Sequence, residues 1–164
     1  MFFIAISLSL FFGFISQTLL TNMGIIVASL GITFFIFISV MFDMFGIAAT
    51  SANINVFEKW AKDNVRGANI GVRLCRNSEK VCSFCADVVG DICSTLCGAS
   101  GACIVVSLTN NIDNLKIIIL ISISISALIA GITIFFKAIM KEKALKNSNN
   151  IILKLSRLLS FFIK

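Results

Sequence analysis

The sequence has no histidine, no proline and no tyrosine, and charged residues make up only 13% of its 164 residues. The absence of histidine excludes zinc sites with mixed Cys and His ligands and any catalytic triad that depends on an imidazole. No phosphate-cradling glycine loop, zincin motif or redox CxxC in a strand-turn-helix context is present. A cysteine nucleophile would have no histidine to activate it. We therefore predict that the protein is not an enzyme.

Apolar side chains are what the sequence has in excess. Hydrophobic residues make up 58% of the chain and the mean hydropathy is +1.01, whereas a soluble domain is about 45–50% apolar. Four apolar runs approach or exceed the roughly 20 residues that cross a bilayer as a helix. They are residues 2–18, 23–49, 81–108 and 115–136. Because helices satisfy their own backbone hydrogen bonds in lipid, we predict an all-α integral membrane bundle with about four transmembrane helices within residues 1–136.

The first run, residues 2–18, is uncharged and short for a span. A cleaved signal peptide would need a basic segment before the apolar run and a small-residue cleavage site after it. Neither is present, so we favour a span, with a surface helix as the alternative.

Two basic segments lie outside the apolar runs. Residues 53–80 interleave basic and apolar side chains, which predicts one or two amphipathic helices at the membrane surface, interrupted at Gly67 and anchored by Trp60. Residues 137–164 form a basic tail in which residues 151–163 predict an amphipathic helix with Lys154 and Arg157 on its polar face. That helix either lies on an anionic leaflet or docks on its own protein.

The distribution of charge predicts the orientation of the chain. There are 14 Lys plus Arg against 8 Asp plus Glu, a net charge of +6, and the excess lies between and after apolar runs rather than on a nucleic-acid-binding face. The positive-inside rule places both basic segments in the cytoplasm. We predict a multi-pass protein of the cytoplasmic membrane with both termini inside, in contact with the lipid bilayer and not with nucleic acid.

Two carboxylates interrupt the third apolar run. Asp87 and Asp91 are one helical turn apart and share a face with Ser94 and Gly98. Gly90, Ser94 and Gly98 also follow a small-xxx-small spacing, which lets a neighbouring helix approach closely. We therefore expect the acidic face to point at protein.

Carboxylates within a membrane segment indicate a functional site, because burying them in lipid is costly. Asp87, Asp91 and Ser94 offer hard oxygen ligands of the kind that Mg²⁺ accepts, whether the ion is bound or transported. The alternatives are ion pairs with Arg76 or Lys80, or a place in water near the interface. Asp43, near Thr50 and Ser51 at the end of the second run, is either a further ligand or a carboxylate among the headgroups.

The six cysteines are the remaining reactive groups. On a regular helix they share one face, opposite the acidic one, and we interpret them as reduced residues that pack like small apolar side chains. Pairs such as Cys82 and Cys85 lie too far along the helix from Cys93 and Cys97 for one tetrahedral soft-metal site. Palmitoylation of Cys75 or Cys82 is a minor alternative.

Residues 41–92 resemble the transmembrane domain of the CorB/CorC and cyclin M family of magnesium and cobalt transport proteins. The resemblance consists of an Ala-x-Thr-Ser pattern at residues 48–51, the pair Gly67 and Ala68, and a Leu-x-x-Asn pattern at residues 74–77. It implies a homodimeric bundle with a polar cavity in which Thr50, Ser51 and Asn77 help to hold a divalent cation.

Two features of the sequence depart from that family. Gly46 stands where the family commonly has an acidic residue. The family's nucleotide-binding CBS pair has no counterpart either, so nucleotide gating is not expected.

Two functional hypotheses follow from these features. The first is a homodimeric membrane protein that binds or transports a divalent cation, of the Mg²⁺ or Co²⁺ type, at a polar site between the second and third spans, with no other cofactor. The second is a non-transporting scaffold or regulatory protein whose acidic, small-residue face mediates assembly and whose basic tail binds lipid or a partner.

Overall fold

The computed structural model of the chain describes residues 25–110, 112 and 114–162, together with residues 6, 7, 10, 11, 13 and 14. Within these residues every regular element is a helix and no strand occurs, so the all-α prediction is confirmed. The predicted first span, residues 2–18, lies mainly outside the described residues; the six described within it are helical.

From residue 25 the described chain is almost continuously helical. The elements are α1 (Ile25–Ser51), α2 (Ile54–Lys62), α3 (Ala68–Arg76), α4 (Ser78–Cys82), a π-helical segment (Ser83–Val89), α5 (Gly90–Thr109), α6 (Leu115–Lys146) and α7 (Ser148–Phe162). The predicted break at Gly67 is confirmed, because this residue has a φ of 88° and lies between α2 and α3. A positive φ strains any side chain with a Cβ, which is why glycine occupies the position.

Three helices in the described part of the chain are long and apolar enough to cross a membrane: α1, α6 and the continuous helix Ser78–Thr109. We call Ser78–Thr109 the middle helix; it comprises α4, the π-helical segment and α5. α6 continues ten residues beyond the predicted end at residue 136, to Lys146. Residues 137–146 contain neither proline nor glycine and are rich in Ala, Lys and Glu, which propagate a helix readily.

The chain divides into two compact units, each built from separate stretches of sequence. Residues 1–40 and 89–136 form the apolar unit, and residues 41–88 and 137–164 form the basic unit. This division differs from the boundary at residue 136 drawn from the sequence. The difference arises because the basic tail packs with the amphipathic segment 53–80 instead of standing apart.

In the apolar unit, α1 and α5 each bury one face. The buried apolar side chains are Ala28, Ile32, Ile36 and Val40 on α1, and Ile92, Cys93, Leu96 and Cys97 on α5. The Cys97 thiol donates to the carbonyl oxygen of Ile32 across 3.8 Å, which joins the two faces. A Cβ on Gly101 would lie 2.8 Å from Cδ1 of Ile129, so Gly101 marks a close approach of α5 and α6.

The basic unit has a core of its own, centred on Phe57. Its buried residues are Met44, Ala48, Ala49, Phe57, Ala144 and Ile152. Asn53 caps the start of α2: its side-chain oxygen accepts a hydrogen bond of 3.0 Å from the backbone N–H of Asn55. This cap satisfies one of the unpaired amides at the helix start.

Two glycines four residues apart let the helices of the basic unit approach closely. A Cβ on Gly71 would overlap Cδ1 of Phe57 and would lie 3.3 Å from Oγ of Ser156. A Cβ on Gly67 would lie 2.9 Å from the backbone nitrogen of Arg157. α3 therefore contacts α2 on one side and α7 on the other, through positions where no side chain fits.

Polar contacts attach the start of α7 to the end of α1. The Ser148 hydroxyl donates to the carbonyl oxygen of Ser51 across 3.2 Å. The backbone N–H of Asn53 donates to Oδ1 of Asn149 across 2.9 Å. Of the two alternatives for the tail helix, the structure shows the one in which it docks on its own protein.

We expect Gly71→Ala to lower the stability of the basic unit, because the added methyl group would overlap the Phe57 ring. Overpacking of this kind costs about 1–3 kcal/mol, more than the roughly 0.5–1 kcal/mol that alanine gains over glycine in a helix. Thermal unfolding of the purified protein in detergent measures the effect.

Gly131→Ala is the matched control, since this glycine is also helical and a Cβ there would meet nothing within 4 Å. The control should unfold at or above the wild-type temperature. Equal unfolding temperatures for the two variants would contradict the proposed packing at Gly71.

Candidate functional site

The acidic face of the middle helix is exposed within the chain. Asp87, Asp91, Ser94 and Gly98 all lie on the solvent-accessible side, and a Cβ on Gly98 would meet nothing within 4 Å. The helix packs through its other side, where Cys85, Cys93 and Cys97 are buried. The expected neighbour of the acidic face is therefore not supplied by the described part of this chain.

The predicted small-residue pattern is divided between two environments. Gly90 is buried, whereas Ser94 and Gly98 are exposed. The Ser94 hydroxyl donates to the carbonyl oxygen of Gly90 across 2.9 Å, which satisfies its hydrogen within the helix and leaves its lone pairs accessible.

Of the three carboxylates in the second and third apolar runs, two lie near the Cys82 thiol. Asp43 on α1 and Asp87 in the π-helical segment are both close enough to the Cys82 thiol to act on it electrostatically. The approach of the helices there depends on Gly46, where a Cβ would lie 3.3 Å from Cα of Cys82. An acidic side chain at position 46, as the resemblance would favour, would therefore push against the backbone of the middle helix.

The motif residues from the family resemblance are occupied with backbone contacts. The Thr50 hydroxyl donates to the carbonyl oxygen of Ile47 across 2.9 Å, and the Asn77 side-chain amide donates to that of Arg73 across 3.0 Å. The carbonyl oxygen of Ser51 accepts from Ser148. Thr50 and Asn77 thus bond within their own helices, whereas Ser51 is engaged through its backbone by α7.

The described residues contain no group of three or more Asp, Glu, Cys or His side chains placed to hold a metal ion. Nor do Asp43, Asp87 and Asp91 form ion pairs within that part of the chain. Arg76, a suggested partner, pairs instead with Glu58 across 3.9 Å. The carboxylates are thus neither neutralised by a neighbouring cation nor gathered into a ligand cage.

The residues predicted for the membrane surface have different environments. Trp60 is half-buried and packs edge-on against Phe57, with ring centroids 5.2 Å apart. It therefore packs against the Phe57 core. Lys154 and Arg157 are exposed on α7, as the amphipathic pattern predicts.

None of the six cysteines forms a disulfide. Cys85, Cys93 and Cys97 are buried and Cys75, Cys82 and Cys103 are half-buried, which agrees with their interpretation as small apolar packing residues. Burial raises the pKa of the Cys75 thiol above its ordinary value. The thiol form, which is not nucleophilic, is therefore favoured there.

Two structural features escaped sequence reasoning. The π-helical segment Ser83–Val89 interrupts the regular turn of the middle helix, so a single helical wheel does not describe residues on both of its sides. Ser39 on α1 is 1% exposed, and its hydroxyl has no hydrogen-bond partner in the described structure. A serine within an apolar run gave no signal that it would be buried.

We expect Ser39→Ala to raise the unfolding temperature, because a buried hydroxyl without a partner costs about 1–3 kcal/mol. Ser100→Ala is the matched control: Ser100 is fully buried in the same unit, but its hydroxyl donates to the carbonyl oxygen of Leu96 across 2.8 Å. Calorimetry on both variants measures the difference. A Ser39→Ala protein less stable than Ser100→Ala would show that the Ser39 hydroxyl does have a partner.

No protein-family model, no curated protein and no solved structure matches this chain. The resemblance of residues 41–92 to the CorB/CorC and cyclin M family therefore stays a prediction.

Proposed function

We propose that this protein is a membrane scaffold that assembles with a second copy of itself through the acidic, small-residue face of the middle helix. The observation that carries the proposal is the exposure of Asp87, Asp91 and Gly98 on a helix long and apolar enough to span a bilayer. Carboxylates facing lipid at a helix centre cost about 2.5–3.5 kcal/mol each on insertion scales. A neighbouring helix relieves that cost.

The same face has the shape that close helix association requires. Gly98 has open space beside it, and small residues let two backbones come near enough for van der Waals contact and interhelical hydrogen bonds. A two-fold dimer uses one patch twice, so a single exposed face is sufficient. On the opposite side of the helix, Cys85, Cys93 and Cys97 are already buried within the chain.

We expect Gly98→Ile to weaken self-association by at least about tenfold, equivalent to about 1.4 kcal/mol, because the branched side chain would separate the two backbones. The measurement is the dimer fraction in lipid bilayers, read by energy transfer between labelled copies as protein is diluted. Gly131→Ile is the matched control, since Gly131 also faces open space on an apolar helix but has no carboxylate nearby.

The proposal would fail if the wild-type protein were monomeric at every dilution. It would also fail if the two variants dimerised equally well.

A second candidate function, binding or transport of a divalent cation, is favoured by one observation. Asp43 and Asp87 come from different helices, which approach closely where a Cβ on Gly46 would lie 3.3 Å from Cα of Cys82, so carboxylates of two helices lie in one region. Dimerisation through the middle helix would add the carboxylates of the second copy. A divalent cation such as Mg²⁺ would then offset their mutual repulsion.

For this second candidate, calorimetric titration with Mg²⁺, Co²⁺ and Na⁺ should show saturable divalent binding that Asp87→Asn with Asp91→Asn abolishes. Asp63→Asn with Glu79→Gln is the matched control, since it removes the same charge from exposed surface positions. Binding that is equally weakened in both double variants would indicate bulk electrostatic attraction and not a site. Absence of divalent binding would leave only the scaffold function.

A further inference from the structure

Docking of α7 leaves one of its faces exposed, and that face combines basic and apolar side chains. Lys154, Arg157 and Leu158 are exposed, Leu158 by 59%, and Phe161 at the end of the helix is 76% exposed. We call Lys154, Arg157, Leu158 and Phe161 the outer face of α7. Such a combination is typical of helices that bind a membrane surface.

The outer face is distinct from the face that holds α7 in place. Ile152 and Ser156 are fully buried, and Ser156 lies beside the Gly71 position of α3. Ile152 belongs to the apolar side of this amphipathic helix, and the structure places it in the core of the basic unit. Arg157 borders the docking contact, because its backbone lies beside Gly67 of α3, but it is exposed together with Lys154 and Leu158.

Charge complementarity identifies the occupant of the outer face. The basic unit contains 13 of the 14 basic residues and 6 of the 8 acidic residues, which leaves it strongly positive. Cytoplasmic leaflets carry anionic lipids, and juxtamembrane basic residues are attracted to them within about a Debye length. An acidic surface is the fitting partner for this unit.

The chain connectivity keeps α7 near the ends of two candidate spans. Only Asn147 separates α7 from α6, and Ser148 donates to the carbonyl oxygen of Ser51, the last residue of α1. Both α1 and α6 are long and apolar enough to cross a membrane. α7 therefore starts where two spans end.

We propose that the outer face of α7 binds the anionic phospholipid headgroups of the leaflet from which α1 and α6 emerge. Lys154 and Arg157 contact lipid phosphates, and Leu158 enters the boundary between headgroups and acyl chains. This inference rests on the proposed membrane insertion of the chain. It does not depend on self-assembly through the middle helix.

The test places a tryptophan reporter at Leu158 in the full chain, with Trp60→Phe to remove the native indole, and reconstitutes the protein in vesicles containing brominated phosphatidylcholine. Bromine quenches only an indole that reaches the acyl region. We expect strong quenching of Leu158→Trp when phosphatidylserine is present, and weak quenching without it or at high salt.

Neutralising the basic residues should undo this effect. Replacing both Lys154 and Arg157 with glutamine should shift the docking equilibrium by about fivefold per charge, since each basic residue near an anionic surface contributes about that factor. Lys59→Gln with Lys62→Gln on α2 removes the same charge and is the matched control. Equal loss of quenching in both double variants would overturn the assignment to α7.

A tryptophan reporter at Ile123, which is exposed on α6, distinguishes lipid binding by α7 from membrane insertion of the chain. Quenching of Ile123→Trp without quenching of Leu158→Trp would overturn the lipid-binding inference alone. No quenching at Ile123 would overturn membrane insertion itself. In the unmodified chain, phosphatidylserine should also slow tryptic cleavage after Lys154 and Arg157, and an unchanged cleavage rate would count against the proposal.

Discussion

The close approach of helices at Gly67 and Gly71 is the contact on which the basic unit depends. Where a Cβ of Gly71 would stand, the Phe57 ring occupies the space, and Gly67 leaves room for the backbone of Arg157. The two glycines thereby connect α2, α3 and α7 around a single aromatic side chain. Without this crossing, the amphipathic segment and the tail would be separate surface helices, each needing lipid to cover its apolar side.

The crossing also determines which residues remain available for binding. Because Ile152 and Ser156 face inward, the outward side of α7 presents Lys154, Arg157 and Leu158. Trp60 also packs against the Phe57 ring. The surface chemistry of this unit therefore results from the packing of its core.

The middle helix shows a comparable division into two sides. Cys85, Cys93 and Cys97 are buried within the chain, whereas Asp87 and Asp91 are exposed. Small apolar thiols pack well against a neighbouring helix, while carboxylates require water, a cation or a polar partner. The chain thus buries apolar thiols, which need no polar partner, and leaves exposed the carboxylates, which do need one. Both proposed functions supply that partner, either a second copy of the helix or a cation.

The sequence by itself determined the helical class, the apolar lengths of three long helices and the break at Gly67. These features depend on composition, periodicity and the conformational freedom of one residue, all of which are local. Tertiary structure alone decided the π-helical turn at Ser83–Val89, the burial of Ser39 and the docking of α7 on α3. Those outcomes depend on contacts between residues distant in the chain. The sequence displays the spacing of Gly67 and Gly71, but only the tertiary structure places the Phe57 ring against Gly71.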